Sequence, residues 1–260
     1  MPSALPASLA ESLPAPIRAR LQTARELGRR SSQVPDSTAF STAIEPLDRL
    51  LEGGLPRGRL VELIGRKSSG RFSIVLSTLA AATAVAEATA LVDLGDVFDP
   101  QAAKSVGTEL EHVLWVRPRK LKEALLSAEM LLGTGFPLVV MDLGHPPIPG
   151  GRGAEAFWVR LARAATAQNA SLLISSPYRV SGTAAATVVQ ARGIRPAWSG
   201  PLLTGYEARW ALRKMHGQGT DGRARLHFGV DAPLARRLPP SAPTTARHGK
   251  RPRPSLQRAG

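Results

Sequence analysis

Apolar runs of strand length alternate with stretches of helical periodicity through the middle of the chain. Leu60-Val61-Glu62-Leu63-Ile64 predicts a strand that runs into Gly65 and a loop, and the apolar, Ala-rich stretch from Phe72 to Glu87 predicts a buried helix. Ala90-Leu91-Val92 predicts a second strand, Pro100 to Val106 a short helix and His112 to Val116 a third strand. Leu121 to Leu132 follows as a helix stopping near Gly133, then Pro137 to Met141 as a strand ending at Asp142. Ala154 to Ala167 predicts a helix and Ser171 to Ile174 a fifth strand. Strands separated by helices imply right-handed crossovers and a mostly parallel sheet. Beyond residue 180 the pattern changes. Ala184 to Ala191, Tyr206 to Lys214 and Ala224 to Phe228 read as strands joined by turns, an antiparallel C-terminal edge to the sheet. The expected fold class is therefore α/β, with a mostly parallel central sheet.

The flanks read differently. Residues 1–35 form an N-terminal arm rich in Ala, Pro, Ser and Arg. A short helix from Pro16 would align Ile17, Leu21, Ala24 and Leu27 on one stripe, with Gly28 as a stop. The core domain spans residues 36–231. Residues 232–260 form a Pro-rich tail whose Arg236, Arg237, Arg247, Lys250, Arg251, Arg253 and Arg258 have no acidic neighbour after residue 235. Such a composition predicts disorder rather than a core.

Composition narrows the class. Thirty-four Lys and Arg against 20 Asp and Glu leave a net charge of +14 over 260 residues, which favours a polyanionic partner, nucleic acid before membrane. With no cysteine, disulfides and thiolate metal sites are excluded, and a reducing compartment is the simple reading. No apolar run is long and clean enough for a membrane helix, so a cytoplasmic protein without membrane contact is expected. The five histidines show no metal-ligand spacing, and no metal site or catalytic triad is expected. The four tryptophans fall in or beside predicted core elements and are expected to pack there.

The chemistry concentrates in Gly65-Arg66-Lys67-Ser68-Ser69-Gly70-Arg71-Phe72-Ser73. A glycine pair with four residues between, after a strand and before a helix, is the setting of a phosphate-binding P-loop. Its backbone N–H groups converge on phosphates, aided by the positive end of the helix. Gly65, Ser68, Ser69, Gly70 and Arg71 are thus candidate nucleotide contacts. The completing Gly-Lys-[Ser/Thr] is absent, because this chain reads Gly70-Arg71-Phe72. Arginine is longer and planar where the loop uses a compact lysine. Phe72 offers no magnesium ligand, and Ser73, one residue late, would point about 100° away on a helix.

The segment Phe40 to Arg59, the loop, and Leu91-Val92-Asp93-Leu94-Gly95-Asp96-Val97-Phe98-Asp99-Pro100 resemble the RecA core, over roughly residues 40–230. With the catalytic motifs decayed, the chain looks most like the ImuA family, RecA-like accessory proteins of bacterial mutagenesis cassettes. The resemblance implies a RecA-like P-loop core. It places Asp99 where the family contacts adenine and Asp142 at the Walker B carboxylate that holds magnesium through water. It also puts Gly95 where the family has its water-orienting Glu, with Asp96 the one nearby carboxylate, and Tyr178 near the family's sensor Gln. No ATP turnover and no required cofactor are expected, with ATP at most weakly bound. The implied partners are ImuB, a Y-family polymerase homologue, an error-prone polymerase alpha subunit, RecA itself, and single- or double-stranded DNA.

The family's first DNA loop would correspond to Gly144–Gly153 and its second to Arg179–Thr183, and both read as shortened. The basic tail is expected to bind DNA in their place. The expected function is a DNA-repair and translesion accessory. An active ATP-dependent recombinase and an inhibitor of RecA filaments stand as alternatives.

Overall fold

The computed structural model describes residues 39–146, 155–215 and 222–229. The expected arm helix, the tail arginines and most of the first candidate DNA loop lie outside the described residues.

Strands β1 (Ala39–Phe40) and β2 (Leu55–Pro56) pair in a small ribbon around helix α1 (Glu45–Leu50). The motif is too short to read from periodicity and is fixed by side chains instead. Asp48 accepts from the Ser41 hydroxyl at 2.7 Å and from the Thr42 amide and hydroxyl at 2.8 and 2.6 Å. The alternating core follows: β3 (Leu60–Ile64), α2 (Arg71–Ala84), β4 (Thr89–Asp93), α3 (Pro100–Ser105), β5 (Val113–Val116), α4 (Leu121–Gly133), β6 (Leu138–Asp142), α5 (Glu155–Ala167) and β7 (Ser171–Ser176). Three long strands complete it, β8 (Thr187–Ser199), β9 (Leu202–Met215) and β10 (Arg223–Gly229).

These form an eight-stranded sheet in the order β10-β9-β8-β3-β7-β6-β4-β5. From β8 to β5 the neighbours run parallel, and β8-β9-β10 is antiparallel, as the sequence patterns predict. The parallel strands β3, β4, β6 and β7 are buried along their whole length, which is why they read as unbroken apolar runs. One face packs on α1, α2 and α3 through Leu47, Ile74, Leu79 and Ala103; the other packs on α4 and α5 through Leu125, Leu132, Trp158 and Leu161. Among the described helices none is long and apolar enough to cross a membrane.

Several boundaries differ from the sequence reading, most at one helix end and in the long hairpin. Helix α2 stops at Ala84 rather than Glu87, because Ala86 turns left-handed (φ 58°) and Glu87 pairs instead with Arg57. Strands β8 and β9 are longer than expected and pair almost to their shared turn.

Candidate nucleotide-loop site and basic face

Parallel pairing brings the C-terminal ends of β3, β4, β6 and β7 to one edge, the usual place for a ligand in an open α/β sheet. Asp93, Asp142 and Ser175 lie in one row across β4, β6 and β7, and Leu63 of β3 continues it. The loop from Gly65 to Gly70 joins this edge to α2. Its form depends on backbone that glycine permits. Gly70 has φ +82°, and a Cβ there would lie 2.6 Å from the Phe228 ring of β10. Gly65 lets the Ser69 side chain fold directly onto it, and the buried Ser69 hydroxyl has no hydrogen-bond partner. Arg66, Lys67 and Ser68 are exposed.

Arg71, the first residue of α2, does not face outward. It is only 5% exposed. Its Nη2 donates to the Gly144 carbonyl at 2.7 Å, and its Nη1 lies 3.9 Å from Asp142 Oδ1. Asp142 is buried as well. It accepts from the Ser175 hydroxyl at 2.5 Å and from the Gly144 amide at 3.0 Å. Burial pushes the Asp142 carboxyl above its usual range, opposed by Arg71 and by the two donors. Burial likewise pulls Arg71 below its ordinary value, opposed by Asp142.

Gly95 faces this same carboxylate. A Cβ at Gly95 would stand 2.6 Å from the Gly144 Cα and 2.9 Å from Asp142 Oδ2. The position at which the resemblance to RecA would put a water-orienting glutamate is therefore closed by backbone. Asp96 offers no substitute, since Arg117 engages it at 2.7 and 2.9 Å on the exposed side. Asp93 is used internally, accepting from the Val97 and Phe98 amides at 3.2 and 2.9 Å. Asp99 is exposed and caps α3 through the Gln101 amide at 2.8 Å. Phe72 packs against the core, and Ser73 bonds the Tyr206 hydroxyl at 3.0 Å, which turns it to β9. Of the sequence candidates, Arg71 and Asp142 come together as an internal pair beside Gly95, while Asp99 stands apart as a helix cap. The residues present do not fit a magnesium nucleotide. The expected lysine position is turned inward, no hydroxyl occupies the ligand position, and the glutamate position has no room.

Two features escaped the sequence reading. The first is Glu62, wholly buried on β3, which accepts from the Ser176 hydroxyl at 3.1 Å, the Val180 amide at 2.7 Å and the Ser181 hydroxyl. It pins the turn after β7, where the second DNA loop was expected. The second is a basic face on β8–β10. The inner face of these strands (Trp210, Leu212, Ala224, Leu226) packs towards α1 and α2. The register places Arg209 beside Arg225, Arg223 beside Ala211, and Arg195 beside Glu207 on the outer face. Arg213 donates to Gln190 at 2.8 Å on that face, and Arg192 sits at a bulge. Among the described residues none of these arginines has a carboxylate partner. Alternation at Arg223-Ala224-Arg225 was the available signal, had period two been applied to charge as well as to apolarity.

A depression of about 430 Å³ is lined by Arg192, Arg209, Arg213, Arg223 and Arg225. A cleft of about 740 Å³ beside it is lined by Arg66, Lys67, Ser69, Tyr178 and Arg179, and shares Arg192 and Arg213 with the first. One basic track thus runs from the loop across the antiparallel strands. Glu109, Glu111 and His112 also bring ligand atoms within 4.8 Å of one another before β5, a cluster whose two glutamates are exposed.

Strand order, the loop after β3 and the carboxylates at the sheet edge together define a RecA-like α/β fold. More particularly, residues 23–147 match the RecA N-terminal domain family. The chain is 37% identical to Protein RecA of Saccharopolyspora erythraea over 91 residues, 35% of this chain and 26% of that protein. It is 39% identical to Protein RecA of Rhodospirillum rubrum over 119 residues, 45% of this chain and 32% of that protein. It is 35% identical to the chloroplastic DNA repair protein recA homolog 1 of Arabidopsis thaliana over 96 residues, 37% of this chain and 22% of that protein. The matched stretches thus span about a fifth to a third of these relatives' own length. Among solved structures, the RadB recombinase superposes with a TM-score of 0.53 at 18% identity, covering 72% of this chain and 94% of that one, a likeness of fold.

Proposed function

We propose that this protein is a RecA-like accessory of DNA repair and translesion synthesis, of the ImuA kind, that binds DNA and polymerase partners without turning over ATP. One observation carries the reading: the Arg71 guanidinium lies against Asp142 and the Gly144 carbonyl, while Gly95 packs on Gly144 where a catalytic carboxylate would have to stand. Phosphoryl transfer is catalysed by positioning and electrostatics, so these losses together remove the means of aiming water and holding metal. The printed names of the relatives, RecA and a DNA repair homologue, support the DNA-repair setting. The basic track supports a polyanionic partner. The partners implied are ImuB, the error-prone polymerase alpha subunit and RecA.

The test is an ATP hydrolysis assay on the full chain, with and without single-stranded DNA, beside an Arg71→Lys/Phe72→Thr variant. Both should stay at background. Brisk turnover by the wild type, slowed by Asp142→Asn, would establish an active recombinase-type ATPase instead. Copurification with ImuB tests the bridging role, and no retention at low salt removes it.

A further inference from the structure

The hairpin of β8 and β9 outgrows its neighbours. Strand β3 pairs with β8 only between Thr187 and Gln190, and β10 pairs with β9 only between Gly205 and Ala211. The end of the hairpin, residues 198–204, is therefore a two-stranded ribbon with no third strand on either side among the described residues. Its tip is apolar. Trp198 is 61% exposed, Leu202 56% and Leu203 44%, and Trp198 pairs directly with Leu203. The sequence reading expected all four tryptophans to pack. Trp158 and Trp210 do, and Trp115 stands edge-on to Phe98, but Trp198 does not.

What flanks the tip decides its partner. The outer face steps from Gly193, Arg209 and Arg225 in one row, to Arg195, Glu207 and His227 in the next, to the small residues Ala197, Gly205 and Gly229 beside the tip. Arg192, Arg213 and Arg223 extend the positive charge away from the tip. Among the described residues Glu207 is the carboxylate on this face, 3.8 Å from His227. An apolar protein surface gains nothing from such a run of guanidinium groups, which have no carboxylate partner among the described residues, whereas a nucleic acid offers phosphates for the arginines and a base for the indole. Basic grooves with exposed aromatic platforms are how proteins hold single strands.

We propose that the β8–β9 ribbon is a single-strand binding element, in which the outer-face arginines hold the phosphate backbone and Trp198, paired across the ribbon with Leu203, stacks on a base. This rests on the DNA-binding reading above and adds to it a residue that touches bases, seated on a hairpin tip rather than in either loop expected to do so.

The full chain is titrated with a labelled thymidine single strand and with a hairpin duplex, at several salt concentrations, as wild type, Trp198→Ala, Trp198→Phe and Arg209→Ala/Arg225→Ala. Circular dichroism confirms that each variant is folded. Trp198→Ala should weaken single-strand binding about tenfold, leave duplex binding and the salt slope unchanged, and be largely rescued by Trp198→Phe. Because Trp158 and Trp210 are buried, iodide quenching of tryptophan fluorescence reads Trp198 chiefly; the single strand should protect it in the wild type and find little to protect in Trp198→Ala. If Trp198→Ala binds the single strand like wild type, or loses single strand and duplex equally, the stacking proposal fails while the DNA-binding reading stands. Wild type that binds neither nucleic acid overturns both. Protection of Trp198 by rising protein concentration alone overturns the proposal in favour of self-association.

Discussion

Removing the guanidinium of Arg71 would strand a buried carboxylate. Asp142 already holds its proton more readily in the folded chain than an ordinary aspartate does, because it is buried. A group whose folded pKa lies above its unfolded value of about 3.9 favours the native state most at low pH. That contribution is lost as pH rises through the folded pKa. Arg71 opposes the shift, so in Arg71→Met the loss should be deeper and reach to higher pH. Breaking a buried pair costs about 3 kcal/mol or more. Urea melts should show that deficit near neutral pH and a smaller one in mild acid, and an equal deficit at both would remove the ion pair from the account. Gly95→Glu belongs to the same scale. A carboxylate placed there drives a Cβ into the Gly144 Cα and the Asp142 carboxylate, so the variant should lose about 1–3 kcal/mol and gain no hydrolysis. A thermal melt beside a phosphate-release assay reads both. At this scale the sequence held identities but not directions. That Arg71 replaces lysine could be read, but not that its side chain turns back to Asp142.

Among elements, the turn after β7 depends on one side chain from β3. Glu62 takes three donors from residues 176–181. Glu62→Ala leaves buried donors unpaired, at about 1–3 kcal/mol each where water cannot reach. Faster amide exchange at Val180 should accompany a lower melting temperature, whereas a change in melting without local exchange would mean that Glu62 does not order the turn. The long elements were legible because β3, β4, β6 and β7 are buried on both faces and spell continuous apolar runs. The β1–α1–β2 motif was not, because two-residue strands carry no period and the unit is held by Asp48 bonding back to Ser41 and Thr42. Glu62 was hidden for a related reason: a lone polar letter inside an apolar strand does not name its partners more than a hundred residues away.

For the molecule as a whole, charge and fold converge on one side. The basic surplus was legible as a total, and its expected seat was the tail. The described residues add a second seat, the outer face of β8–β10, which continues into the cleft beside the loop. If Arg209 and Arg225 each touch one phosphate, Arg209→Ala/Arg225→Ala should make the single-strand salt slope shallower by about 1.4. Removing residues 235–260 should make it shallower independently, and additivity of the two changes in log K against log salt would show separate contacts. A double variant with the wild-type slope would leave the sheet face out of the interface.

The contact between Gly95 and Gly144 also bears on history. In the loop, Arg71→Lys gives up the guanidinium bond to the Gly144 carbonyl, and Phe72→Ser gives up a side chain packed on the core. Glutamate cannot enter position 95 until two backbone segments have drawn apart, and the inward Arg71 bonds the carbonyl of one of them. Every single step back thus meets a less stable protein before any gain in chemistry. A lineage that has crossed this point is held there by its own packing, as a ratchet holds a wheel.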